Sequence, residues 1–252
     1  MKNLNRRKFL FSAISSPFVA GGYACGIERN WLRTKDVVVN RNGTRIAHFT
    51  DTHHQGNKRL FRKVIERIHA ARCAFAVFTG DLIDSHDERY LEEALELISS
   101  IDIPVFGVPG NHDMMDVGST RRYKEAFQST GGDWIYDEAV NFAGFDLYGT
   151  TTQQVPVRRM RGQNKALLLT HYPATCDNES ESVFDLILAG HSHGGQIRMP
   201  VLGPLILPYG VGAYDKGLFD TALGKLHVSS GVGYFLIPAR FMCPPELCVV
   251  TV

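Results

Sequence analysis

Apolar positions recur along this chain with two different periods. Between Leu60 and Ala71 they fall at Phe61, Val64, Ile65 and Ile68, the spacing that lines one face of an α-helix. Leu91, Ala94, Leu95 and Ile98 repeat that spacing between Tyr90 and Ser99. Short branched or aromatic runs separate these helices, and Arg45–Thr50, Phe75–Thr79 and Pro104–Pro109 read as strands. Strand, helix, strand, helix, strand predicts a parallel sheet with helices covering its faces. A further helix is expected from Tyr123 to about Gln128, then strands near Glu138–Val140 and Phe145–Tyr148, and two more apolar runs at Ala166–Thr170 and Phe184–Ala189. Ahead of all these, Asp36–Val39 and Thr44–Thr50 predict two strands joined through Asn40-Arg41-Asn42-Gly43, because Asn-Gly is a hairpin signal. The Gly- and Pro-rich chain after His193 predicts strands and loops that close a second sheet.

The chemistry gathers where the apolar runs stop. Five runs empty into oxygen and imidazole groups: Asp51-Thr52-His53-His54, Gly80-Asp81-Leu82-Ile83-Asp84, Gly110-Asn111-His112-Asp113, His171-Tyr172-Pro173, and Gly190-His191-Ser192-His193-Gly194-Gly195. In open α/β sheets the ligand crevice lies at the carboxyl ends of the strands, so five such ends side by side in one sheet predict a single site. Neutral imidazole is a good ligand for zinc, manganese and iron, and neighbouring glycines let backbone and ligands come close. Taken alone, the His-x-His loop reads equally as a metal ligand and as a solvated loop.

The ordered set Asp-x-His, Gly-Asp-x-x-Asp, Gly-Asn-His-Asp, His, Gly-His-x-His resembles the calcineurin-like metallophosphoesterase superfamily. The segments Gly190–Ile197, Pro238-Ala239-Arg240-Phe241 and Pro244-Pro245-Glu246 resemble its bacterial branch of YkuE-like and YaeI-like envelope phosphoesterases, which includes one type of UDP-2,3-diacylglucosamine pyrophosphohydrolase. The resemblance runs from about Tyr23 onward and implies an α/β fold, a four-layer α/β/β/α sandwich of two mixed sheets flanked by helices. It also implies two divalent metal ions, with Asp81 bridging them, Asp51, His53 and His193 completing one site, and Asn111, His171 and His191 the other. Such mixed ligands suit Mn, Fe or Zn better than Ca or Mg. His112 is the implied general acid, its tautomer fixed by Asp84; the competing reading makes it another metal ligand or a packed histidine. His54 either touches substrate or faces solvent. Ser85 stands where phosphoprotein phosphatases of the superfamily carry arginine, which argues against a Ser/Thr protein phosphatase. Gly149-Thr150-Thr151-Thr152-Gln153 departs from relatives that carry an acidic residue there, and is expected to border the substrate pocket.

Composition adds limits. With 252 residues, 44% hydrophobic and 21% charged, the chain is long enough for one large α/β domain, and no interdomain linker interrupts it. A net charge of +1 gives no reason to expect nucleic acid, and Arg158-Arg159-Met160-Arg161 reads as a solvated loop. Cys25, Cys73, Cys176, Cys243 and Cys248 suggest no disulfide framework, and Cys73 and Cys248 read as small buried hydrophobes. His48, His69 and His227 belong to no motif and are expected to be structural.

Residues 1–35 are expected to be a signal or membrane anchor and 36–252 the phosphoesterase domain. Arg6-Arg7 ahead of the apolar run Phe9–Ala20 points to the twin-arginine route, with cleavage after Ala24, retention as an anchor, and lipidation at Cys25 as alternatives. The expected function is therefore dinuclear metal-dependent hydrolysis of a phosphodiester or pyrophosphate in a bacterial cell-envelope or membrane-associated substrate. Among relatives UDP-2,3-diacylglucosamine of lipid A synthesis is one substrate, and the departure at Gly149–Gln153 does not carry any particular substrate over. A broad-specificity phosphomonoesterase and a non-catalytic metal-binding scaffold are the alternatives. Val201–Leu207 reads equally as core and as a surface for a lipid chain or the membrane.

Overall fold

The computed structural model describes residues 18–84, 87–114, 120–155, 164–178 and 183–252. The Arg6-Arg7 pair with most of the apolar run behind it, Ser85 with His86, and the Arg158–Arg161 loop lie outside the described residues. Among the described residues no helix is long and apolar enough to cross a membrane.

Two six-stranded sheets stack face to face. The first runs in the order β1 (Arg33–Val38), β14 (Glu246–Thr251), β2 (Arg45–Phe49), β3 (Phe75–Phe78), β4 (Val105–Gly107), β5 (Asp133–Trp134). Strands β2 to β5 are mutually parallel, as the alternation of strand and helix predicts. Helices α1 (Lys58–Ala71), α2 (Glu88–Ser99), the short α3 (Asn111–Met114) and α4 (Thr120–Ser129) supply the crossovers. The Asn57 side chain caps α1 by accepting the Leu60 amide at 3.2 Å, and Arg72 ends that helix in the left-handed region. The predicted apolar stripe of α1 is buried at Phe61, Val64, Ile65 and Ile68, packed with the stripe of α2 against Ala47, Phe49, Ala76 and Phe78.

The second sheet has the order β12 (Gly217–Thr221), β13 (Gly224–Val228), β9 (Phe184–Ala189), β8 (Lys165–Thr170), β7 (Phe145–Thr150), β6 (Ala139–Phe142). A separate small ribbon pairs β10 (Arg198–Met199) with β11 (Gly203–Pro204). Between the main sheets Ile46, Phe75, Val77 and Val250 meet Phe145, Leu167, Leu169 and Leu188 in an apolar layer. One polar bolt crosses it: His48 Nδ1 of β2 lies 3.1 Å from His227 Nδ1 of β13, and His48 Nε2 lies 2.9 Å from the Thr79 hydroxyl. Both rings are fully buried, and His69 accepts the Asp102 amide at 3.1 Å, so all three histidines outside the motifs have structural bonds. Among the described residues, a 3₁₀ turn at Pro173–Asp177 together with Val155 and Tyr214 packs against the outer face of the second sheet.

Two local expectations give way. The turn at Asn40–Gly43 forms, with Gly43 N–H donating to the Asn40 carbonyl at 3.1 Å, but β1 and β2 are not paired. β14 lies between them, parallel to β1 and antiparallel to β2. Its residues are buried from Glu246 to Val250, whereas β1 is mostly exposed, so the strand covered on both faces takes the interior place and β1 the edge. The boundary at 35/36 also falls inside β1. The ordered fold begins earlier, because Glu28 is buried with its Oε1 accepting the Cys243 amide at 2.7 Å, and Ala24 accepts the Arg240 amide. Cys73 and Cys248 are buried as expected.

Candidate metal centre

All five clusters stand at carboxyl ends of strands, but on two sheets instead of one. β2, β3 and β4 of the first sheet deliver Asp51 with His53, Asp81 with Asp84, and Asn111 with His112. β8 and β9 of the second deliver His171, and His191 with His193. Stacking the sheets brings these ends together across the sandwich, which a single-sheet reading did not foresee. The loops after β2 and β3 continue the ladder beyond the strands, with His53 and His54 donating to the Asp81 and Leu82 carbonyls.

The candidate ligands approach closely enough to define two groups, with a carboxylate of the second reaching a histidine of the first. Asp51, His53 and His193 form one and Asp81, His171 and His191 the other, each with ligand atoms within 4.8 Å of one another. Asp81 Oδ2 is 3.5 Å from His53 Nε2 and 3.3 Å from His171 Nε2, so a single oxygen stands between them. Asn111 Oδ1 lies 3.1 Å from His171 Nε2. His112 meets His53 and Asp81 in a third group, so its geometry suits both a proton donor and a ligand.

The outer nitrogens show where the ring protons sit. His53 Nδ1 lies 3.2 Å from Asp84 Oδ1, His171 Nδ1 2.7 Å from the Thr79 carbonyl oxygen, and His191 Nε2 2.7 Å from the Tyr209 carbonyl oxygen. An acceptor there holds the proton, leaving the opposite nitrogen of a neutral ring a bare lone pair. Two of those nitrogens face each other, His171 Nε2 and His191 Nδ1 at 3.0 Å, and His53 Nε2 faces His193 Nε2 at 3.1 Å. Paired lone pairs at that separation repel unless a cation lies among them. The donor set therefore fits two divalent ions. His193 Nδ1 is buried without a hydrogen-bond partner among the described residues.

Electrostatics agree. Burial opposes charge on His171, but the Asp81 charge and hydrogen bond, with Asp51 and the Thr79 carbonyl, lift it to about 9. Burial and the neighbouring His171 push His191 down to about 4. Burial also opposes ionisation of Asp81, yet His171, His53 and His112 hold it well below the usual carboxylate range. In the metal-free protein one proton on His171 does part of what a cation would do.

The backbone is bent to serve this arrangement. Asp51, His53, Asp81, His191 and His193 all have positive φ, between 38° and 65°, a region that costs side-chain-bearing residues of order 1–3 kcal/mol each. A Cβ at Gly110 would collide with the Asp81 carboxylate, and one at Gly190 with Thr50 and Asp51, so both positions require glycine for close approach.

Asp84 is shared. Its Oδ1 is nearer to His53 Nδ1, at 3.2 Å, than to His112 Nδ1, at 3.5 Å, and Gln55 donates to Oδ2 at 2.8 Å. It thus orients a metal ligand as well as the proposed acid. His54 points elsewhere. It is buried, with Nε2 3.2 Å from Glu93 and its ring against Phe61 and Tyr90 of the flanking helices, so it does not face solvent. Thr151 is held by Asp137, with its amide donating at 2.8 Å.

Two supporting residues had no role assigned from sequence. Asp113, part of a motif, accepts the amides of Asp81, Leu82 and Gly110 at 2.7–2.9 Å and the Tyr123 hydroxyl at 3.0 Å, buckling two ligand loops together. Arg240 is fully buried and donates to the carbonyls of Gly233, Cys243 and Ser230. The loop it holds covers the end of β2, where Val232 and Gly233 donate to the Thr50 and Asp51 carbonyls. A lone arginine in an apolar, Pro-rich stretch was the available signal.

Comparison with known proteins extends the picture. The profile described as calcineurin-like phosphoesterase matches residues 44–195. The metallophosphoesterase YkuE of Bacillus subtilis is 29% identical over 284 aligned positions, covering 100% of this chain and 98% of its own. The phosphodiesterase YaeI of Escherichia coli is 31% identical over 159 positions, 58% of this chain and 57% of its own. TT1561 of Thermus thermophilus, a solved structure, aligns over 76% of this chain and 91% of its own with a TM-score of 0.49 at 9% identity.

Proposed function

The chain belongs to the calcineurin-like phosphoesterase family, and on that premise we propose that it cleaves a phosphodiester or pyrophosphate bond in a substrate of the cell envelope. As a member it is a hydrolase acting on phosphate esters. The observation that carries the reading is the position of Asp81 Oδ2 between the nitrogens of two separate ligand groups. Asp51, His53 and His193 would hold one divalent ion, Asn111, His171 and His191 the other, with Asp81 shared; Mn, Fe or Zn suits these donors. Bound there, such a pair would supply Lewis acidity that lowers the pKa of water and offsets charge on phosphoryl oxygens.

The protein's own groups do the rest. His112 gives a proton to the departing ester oxygen as the oxygen of a water that has lost one proton to solvent bonds to phosphorus and the opposite P–O bond breaks, and His112 regains its proton from solvent. Asp84 orients His112 and His53 together, and Phe235, T-shaped to His112 at 5.2 Å, limits the ring's freedom. The envelope assignment is supported by the basic and apolar start of the chain, read as a twin-arginine signal or retained anchor, and by the exposed Val201, Leu202 and Ile206. Those exposures remove the core reading of the Val201–Leu207 segment. UDP-2,3-diacylglucosamine, a cytosolic nucleotide, fits only an anchor that faces inward; an exported protein requires another envelope phosphoester.

Hydrolysis of bis(p-nitrophenyl) phosphate against p-nitrophenyl phosphate with added Mn²⁺ tests the reading. Preference for the diester is expected. Preference for the monoester would favour a phosphomonoesterase, and a metal-loaded protein inert to both would leave only a scaffold.

A further inference from the structure

We propose that the apolar groove beside the metal centre is a subsite for one hydrocarbon chain of an amphiphilic phosphoester substrate. The inference rests on the hydrolase reading above and adds the chemical class of what is hydrolysed. The groove, of about 340 Å³, is walled by Ile197, Leu205, Ile206, Pro208, Leu236 and Ile237, and this volume lies within the range of small-molecule sites. Ile206 is 80% exposed and Leu236 79%, a cost in water that no packing within the described residues recovers.

The wall is built, not loose. The Gln196 side chain accepts the Phe235 amide at 2.8 Å and donates to the Phe235 and Ile237 carbonyls at 3.2 and 2.7 Å, while Leu205 N–H bonds the Ile197 carbonyl at 3.1 Å. Leu236 has φ 58°, a conformation that a bulky residue adopts only when its surroundings impose it. A polar clasp therefore spends strain to hold apolar side chains outward.

The inner end identifies the occupant. Ser192 and the metal-ligand candidate His193 close the groove there, and the Phe235 ring lies 5.8 Å from His53 and 5.2 Å from His112. A chain lying in the groove has its head group at the metal centre and its tail toward solvent. On the outer side, Arg29 donates to the Pro238 carbonyl at 3.0 Å, joining the N-terminal segment to the same wall, and Phe18, Val19 and Ile27 of that segment are exposed. A molecule drawn from a lipid surface meets this face before it meets the metal centre.

The test is a series of methyl, butyl and octyl p-nitrophenyl phosphate diesters, below micelle-forming concentrations, with the full Mn²⁺-loaded chain. kcat/KM should rise at least tenfold from methyl to octyl, against a ceiling of about fourfold per fully buried methylene. The double variant Ile206→Asn with Ile237→Asn, at exposed positions outside the catalytic machinery, should flatten the series and leave the methyl ester unchanged. Equal kcat/KM across the series would overturn the subsite, as would a variant that slows all esters alike. Co-sedimentation with phosphatidylglycerol vesicles without a chain-length gain would make the face a membrane seat and equally overturn it. If no ester is turned over, the hydrolase reading fails separately, and tighter calorimetric binding of octylphosphonate than of methylphosphonate still decides the subsite.

Discussion

The backbone amide of His112 donates to Oδ1 of Asp81 at 2.9 Å. The carboxylate standing between both ligand groups therefore also sets the position of the proposed acid. Asp81→Asn keeps an acceptor for that amide but loses the shared anionic oxygen. Bound metal, measured by plasma mass spectrometry after dialysis, should fall from two ions to one or fewer while the fold survives.

His112→Asn should behave differently. Metal content should stay at the wild-type level, and kcat should drop by about 10²–10⁴-fold, the usual size of a general-acid contribution. The loss should be larger for an alkyl leaving group than for p-nitrophenolate, which needs no proton. Loss of metal in this variant would make His112 a ligand.

Because Asp84 is closer to His53 than to His112, Asp84→Asn is expected to weaken metal binding by about 10–100-fold, the range for residues that orient a ligating histidine. Competition with a chromophoric chelator reads this directly. Metal affinity at the wild-type level would restrict Asp84 to orienting the acid.

His171 predicts a pH dependence. Burial lowers it, but Asp81 and Asp51 raise it on balance from 6.5 to about 9 in the metal-free fold. A histidine raised on folding contributes stability that is present in full below about 6.5 and lost as pH climbs through about 9. A bound metal displaces that proton and removes the loss. The gain in melting temperature on adding Mn²⁺ without oxygen should therefore grow between pH 6.5 and 9, and calorimetry showing a shrinking gain would contradict this assignment.

Asp113→Ala strips three backbone amides and a phenol of their buried acceptor. Urea unfolding of the metal-free protein should show a loss of about 3 kcal/mol or more, since each abandoned buried donor costs about 1–3 kcal/mol. Burial and the Asp81 charge push the Asp113 carboxyl up to about 6 despite those amides, so Asp113→Asn should cost less than Asp113→Ala at neutral pH.

The candidate cluster was legible because each strand stops at a polar group, and the helices because their apolar stripes are uninterrupted. What eluded sequence reasoning depends on partners distant along the chain. Asn42-Gly43 specifies a reversal but not the neighbour, and burial on both faces put β14 where a hairpin partner was expected. His54 looks like part of the ligand cluster because it follows His53, yet its positive-φ neighbour turns it toward Glu93. Asp113 looked like the tail of a motif because its partners are amides, which no side-chain pattern displays.

The placement of β14 bears on how the molecule comes into being. During synthesis β2, β3 and β4 leave the ribosome early, but the gap between β1 and β2 stays open until residues 246–251 emerge. A nascent chain can therefore form the α1 and α2 crossovers while its first sheet is still split, and the ligand loops of β2 close only late. A released chain lacking residues 246–252 should be digested by proteases, whereas the full-length chain should resist them.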